Sequence, residues 1–190
     1  MTDFLARLNI LDKHEIDYSI SIFEKTKLKK GNYFVTEGSI CNQIGFILKG
    51  GVRNFSIQLD GEENTTCFKF ENQFITSYES FSQKKESKIN IQAIEDCDLL
   101  VISYHQFHEL LEKLPSWRSI LTWAMEQEYI EKEHQLRNLN NKSAKEKYLY
   151  TIHHSPEIIK RAQIGYLASY LGITHRTLSR IRKDALHFTS

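Results

Sequence analysis

The residues best placed to do chemistry stand near the carboxyl end, in the stretch QIGYLASYLGITHRTLSRIRK, 163–183. At about 100° per residue, Arg176, Ser179, Arg180 and Lys183 fall on one side of a helix, at i, i+3, i+4 and i+7. Leu178, Ile181 and Ala185 fall on the other. Three cations and a hydroxyl on one face attract an anion, and an arginine can offer one partner two parallel donors. The segment in front is built to hold such a face. Ile164, Leu167, Ala168 and Leu171 form an apolar stripe, Gly172 can take positive φ at a helix end, and Thr174 suits the next N-cap. Two short helices about a capped corner, apolar inside and cationic outside, are what a helix-turn-helix needs to enter the major groove of DNA. A surface helix pair with solvated charges is the plainer alternative.

The charge distribution favours the first reading. From Asn141 onward there are nine Lys and Arg against three Asp and Glu; the preceding 140 residues hold sixteen against twenty-one. A net charge of +1 over 190 residues thus conceals a basic tail. Several cations on a duplex would give binding that falls steeply with salt.

The rest of the chain must position this tail. Hydrophobic residues at 41% and aromatics at 12% supply a real core and argue against disorder. No apolar run approaches the roughly 18 residues that cross a bilayer, and the first residues lack a signal-peptide pattern. A cytoplasmic protein without membrane contact is expected. Cys41, Cys67 and Cys97 lie far apart with no CxxC, so buried thiols are expected rather than disulfides or zinc. Residues Thr2 to about Glu24 read as helix, with Asp12 a plausible cap. From Thr26 the period changes. YFVTE, FILKG, VRNFSIQ, TCFKF, INIQAI and DLLVIS are short β-rich runs separated by turn signals, which suggests a sandwich or jelly roll. Helix returns at Tyr104–Leu114, stopped by Pro115, and again from Ser116 to about Leu139. Along the latter, Ile120, Trp123, Ala124, Gln127, Glu131 and His134 share one side, apolar first and polar later. Such a helix would pack on its own domain and then pair with a partner. Asn138–Ser143 reads as a hinge, Ala144–His153 as a further helix, and Ser155-Pro156 as the start of another segment.

No enzyme is expected, and no catalytic or metal-binding residue is assigned. A metal-binding roll needs closely spaced histidines, yet there is none between Tyr33 and Ile102. A Gly-x-Ser-x-Gly elbow and a Walker loop are also missing from the sequence.

Roll, long helix, hinge and helix-turn-helix follow in that order. With TEG at Thr36–Gly38, GFILKGGV at Gly45–Val52, AIEDCDLLVIS at Ala93–Ser103 and LASYLGITHRTLSRIRK at Leu167–Lys183, the chain resembles the Crp/Fnr family of bacterial transcription regulators over nearly its whole length. Its tail is most similar to the branch found in Bacteroidetes-type bacteria. The resemblance implies an α+β fold with three parts. These are a cyclic nucleotide-binding-like jelly roll (a double-stranded β-helix with flanking helices) over 1–115, a long dimerisation helix over 116–140, and a winged helix-turn-helix-like domain over 141–190. It also implies a homodimer on double-stranded DNA, with RNA polymerase as a further partner.

Carried over to this sequence, the base-reading positions are His175, Arg176, Ser179 and Arg180, while Thr174, Arg182 and Lys183 would hold phosphates. Arg176 stands where many members of the family have an acidic residue, so a target sequence cannot be borrowed. In members that bind cyclic nucleotides, a Gly-Glu pair and a later Arg with Ser or Thr hold the ribose and phosphate. Those positions fall here on Thr76-Ser77 and Ser87-Lys88, and both key side chains are missing. Cyclic AMP is therefore not expected. The pocket is placed around Phe74, Ser77, Ser87 and Lys88, and the effector is left unassigned. Glu79 would share the strand face of the missing acid only if the segment stayed extended. Lys84, Lys85 and Lys88 could attract another anion, or form a solvated loop. The iron–sulfur branch needs clustered N-terminal cysteines that this sequence lacks. His105, His108, His153 and His154 are read as surface or packed histidines ahead of haem ligands. The rival reading is a ligand-binding module whose helix-turn-helix no longer meets DNA.

Overall fold

The computed structural model describes residues 1–139 and 142–186. Among these the chain forms two compact units, one of Met1–Asn54 with Phe68–Glu128, the other of Phe55–Cys67 with the residues from Tyr129 onward.

The first unit opens with α1 (Thr2–Leu8) and α2 (Lys13–Ile22). Asp12 caps α2 through a reciprocal box: its carboxylate accepts the Glu15 N–H at 2.8 Å, and Glu15 accepts the Asp12 N–H at 3.0 Å. The strands then follow as β1 (Glu24–Leu28), β2 (Tyr33–Val35), β3 (Gln43–Lys49), β4 (Val52–Ile57), β5 (Glu63–Lys69), β6 (Phe74–Ile75), β7 (Asn90–Ala93) and β8 (Cys97–Ser103), with α3 (Tyr78–Gln83) between β6 and β7. They make two four-stranded sheets, ordered β1-β8-β3-β6 and β2-β7-β4-β5, in a jelly-roll arrangement. β8 runs antiparallel to both neighbours, pairing Leu99 with Thr26 on one side and Ile47 on the other. Two expectations need correcting. Helix ends at Ile22, so Glu24 starts a strand. The stretch after Ile75 turns into α3, which places Glu79 in a first helical turn and removes the extended strand its suggested role required.

Helices α4 (Tyr104–Lys113) and α5 (Trp117–Leu139) follow. Trp117 fastens the start of α5: its ring lies 6.1 Å from Phe23 and 6.5 Å from Phe107, and its indole N–H donates to Ser19 at 2.7 Å. Phe4, Phe46 and Phe74 form an aromatic cluster with centroids 5.0–5.9 Å apart, and Trp123 edges onto Phe4. Phe46, Ile47, Ile91, Ile102 and Leu110 are wholly enclosed.

In the second unit, α6 (Ala144–His154), α7 (Pro156–Arg161), α8 (Ile164–Leu171) and α9 (His175–Leu186) pack as a small helical domain, with α6 against both α8 and α9. Ser143 and Glu146 form the capping box of α6, and Pro156 occupies the first turn of α7. Leu167, Ala168, Leu171, Leu178 and Ile181 are buried, as the two apolar stripes require. The side chain of Ala185, and Asn140 and Asn141 of the expected hinge, lie outside the described residues.

Candidate nucleic-acid interface

Helix α8 ends in a left-handed residue, Gly172, at φ +65°. The Gly172 N–H donates to Ser169 O and the Ile173 N–H to Ala168 O, both at 3.0 Å, closing the helix with paired reversed bonds. Two residues on, the Thr174 hydroxyl accepts the Thr177 N–H at 3.1 Å and shares a hydrogen bond with the Thr177 hydroxyl at 2.9 Å. This cap fixes where α9 begins. Leu178, fully enclosed, and Ile181 then fix its rotation about its axis.

With the apolar side seated, the opposite side must face out. His175, Arg176, Arg180, Arg182 and Lys183 are exposed, and Ser179 is half-buried between them. Among the described residues, none of these four Arg and Lys side chains is drawn into an ion pair or hydrogen bond. A row of unspent cations on a rigid helix can hold phosphates at low desolvation cost, and its Arg side chains can each present a fork to a guanine edge.

The positions matched to a nucleotide pocket are arranged differently. Ser77 and Ser87 are buried, their hydroxyls 2.9 Å apart, and Ser87 also donates to Ile89 O at 2.7 Å. Lys88 points outward to Glu79 at 3.2 Å. Lys84 donates to Asn42 at 3.1 Å and lies over the Tyr104 ring. Phe74 is set apart from these polar groups. It lines a small apolar groove, with about 50 Å³ of room, together with Phe23, Ile44, Tyr78, Trp117 and Met125. The Ser77 and Ser87 side chains are neutral, short and bonded to one another, so they supply neither a carboxylate for a ribose nor a guanidinium for a cyclic phosphate. Among the described residues no group of three or more His, Cys, Asp or Glu is placed to hold a metal ion, and no helix is long and apolar enough to cross a membrane.

The sequence reading missed part of α5. Tyr129, Ile130 and Leu136 are large exposed apolar residues, and Tyr129 and Leu136 lie on the side opposite the stripe of Gln127, Glu131 and His134. Met125, Tyr129 and Leu136 recur at i, i+4 and i+11, a heptad-like spacing legible in the sequence.

Comparison with known proteins agrees with this arrangement. Residues 25–114 match the family model described as "Cyclic nucleotide-binding domain". The chain is 24% identical over 183 residues to the "Anaerobic regulatory protein" of Haemophilus influenzae, covering 90% of this chain and 70% of that one. It is 25% identical over 168 residues to the "Transcriptional activator protein anr" of Pseudomonas aeruginosa, covering 81% and 67%. In fold it is similar to the c-di-GMP responsive global regulator CLP of Xanthomonas campestris, with a TM-score of 0.74 and 14% identity over 94% of this chain and 93% of that one. The relatives are regulators rather than enzymes, and the roll, the long helix and the capped helix pair occur here in the same chain. Over most of its length the chain is thus similar to transcription regulators of the Crp/Fnr type, with a cyclic nucleotide-binding domain matched at residues 25–114.

Proposed function

We propose that the protein binds an operator in double-stranded DNA as a homodimer, with α9 in the major groove and an effector acting through the roll. The observation that carries this reading is the exposed face of Arg176, Arg180 and Lys183 on a helix whose buried side leaves it one orientation. In this reading His175, Arg176, Ser179 and Arg180 meet base edges, while Thr174, Arg182 and Lys183 meet phosphates. The Thr174 hydroxyl caps α9 at the same time, which fixes the position of any phosphate it touches. The second copy covers the apolar face of α5 at Met125, Tyr129 and Leu136. An effector near Phe74 meets apolar groove rather than an anion clamp, because Ser77 and Ser87 bond each other and Lys88 faces outward. RNA polymerase is the further partner that such a regulator would engage.

The test is binding of the full chain to mixed-sequence duplex across a salt series. Affinity should fall linearly on a log–log plot, with a slope set by the number of phosphates neutralised. Absence of binding at low salt would refute the reading.

A further inference from the structure

Helix α8 makes a contact that reading DNA does not require. The Ser169 hydroxyl accepts the Thr65 N–H at 2.9 Å and donates to the Glu63 carbonyl at 2.5 Å. Both partners are backbone groups of the β4–β5 hairpin, and this part of the hairpin belongs to the same compact unit as α8. The next two residues are held as well. Gln135 of α5 donates to the Tyr170 hydroxyl, and Lys147 of α6 to the Leu171 carbonyl, each at 3.4 Å. Three consecutive residues just before the Gly172 corner are thus tied to three different elements.

The hairpin is acidic. Residues 55–67 contain Asp60, Glu62 and Glu63 and no Lys or Arg. In a DNA-bound helix-turn-helix the first helix crosses the phosphate backbone. Asp60 and Glu62 are exposed, and a duplex approaching α8 beside them meets like charge. The cations of α9 take no part in the contact, so it can open without disturbing the face that reads DNA.

We propose that the β4–β5 hairpin is an autoinhibitory clasp: closed on Ser169, it holds acidic chain against the first helix of the pair, and it opens when a duplex binds. The proposal rests on the DNA reading above. The Ser169 part of this fastening is two neutral hydrogen bonds, which water can replace, so it can open reversibly. The expected coupling is about fivefold in affinity, at the lower end of allosteric effects.

The experiment uses the full chain and a duplex that the protein has itself selected from a random pool. Ser169→Ala should bind that duplex about fivefold tighter, while Ser169→Thr, which keeps the hydroxyl, should match the unaltered protein. The double variant Asp60→Asn, Glu62→Gln should also bind tighter, with an advantage that shrinks as salt rises. Because it keeps Ser169 and both backbone partners, it carries the test should Ser169→Ala fail to fold. Deuterium exchange over 63–67 should speed up when duplex is added. Equal or weaker binding by Ser169→Ala and the double variant, or hairpin exchange indifferent to duplex, would overturn the clasp. Failure of the unaltered protein to bind any duplex would instead remove the DNA reading on which the clasp rests.

Discussion

The roll and helix α9 treat their polar side chains in different ways. In the first, Ser77 bonds Ser87, Lys88 meets Glu79, Lys84 lies over Tyr104, and the buried Arg53 guanidinium donates to Gln92 at 2.8 and 3.1 Å. In the second, the cations of α9 face solvent with no ion pair among the described residues. A buried charge must be matched within the fold, because leaving it unmatched costs several kcal/mol, roughly. An exposed one can wait for a partner. The roll therefore spends its polar groups on holding shape, while α9 keeps its own for recognition.

Substitutions in the two units should accordingly fail in different ways. The largest effect is expected in the roll: Phe46→Ala empties a fully enclosed aromatic site and should cost about 3–5 kcal/mol of stability by urea unfolding. A loss under about 1 kcal/mol would mean the roll is far more loosely packed than its enclosed side chains indicate. Arg180→Ala should leave the unfolding curve in place yet weaken a preferred duplex by about 10- to 100-fold, with little change on random duplex. Equal losses on both would deny Arg180 a base-reading role. Lys183→Ala should weaken both duplexes alike by a few fold and lower the salt slope by about one. A sequence-dependent loss would move Lys183 to a base edge.

The smallest effect concerns pH. Burial pushes the Tyr170 hydroxyl up from 10.0 to about 12, against the opposing pull of the Gln135 hydrogen bond. The unfolded chain gives up this proton from about 10 while the folded chain holds it. The contribution of Tyr170 is therefore complete below pH 10 and is lost as pH rises through about 12. Tyr170→Phe should flatten the decline of stability in that window, and an unchanged slope would contradict the burial of this hydroxyl.

The same contrast explains what could be read in the sequence. The helix pair was legible because each local signal acts locally: Gly172 takes the left-handed turn, Thr174 caps, and a 3.6-residue period separates Leu178 from Arg176 and Arg180. Most strands were legible from β-branched and aromatic runs. β1 was not, because EKTKL is nearly all exposed and carries no alternation to detect. α3 was missed because it is six residues long and its burial rests on Ser80 and Phe81 alone. The serine pair was beyond sequence reading, since Ser77 and Ser87 meet only after β6, α3 and the following loop have folded. On α5 the stripe was drawn through Ile120, which packs inward, while the exposed apolar face runs through Tyr129 and Leu136. Periodicity finds a face, but it does not say which neighbour covers it.

The most direct measurement is parallel selection of duplexes from one random pool by the unaltered chain and by Arg180→Ala. The unaltered chain should enrich a two-fold symmetric site with half-site centres about one helical turn apart, and the variant should lose preference at one position in each half. No enrichment by the unaltered chain, or the same motif from both proteins, would contradict the assignment of α9 as the DNA-reading helix.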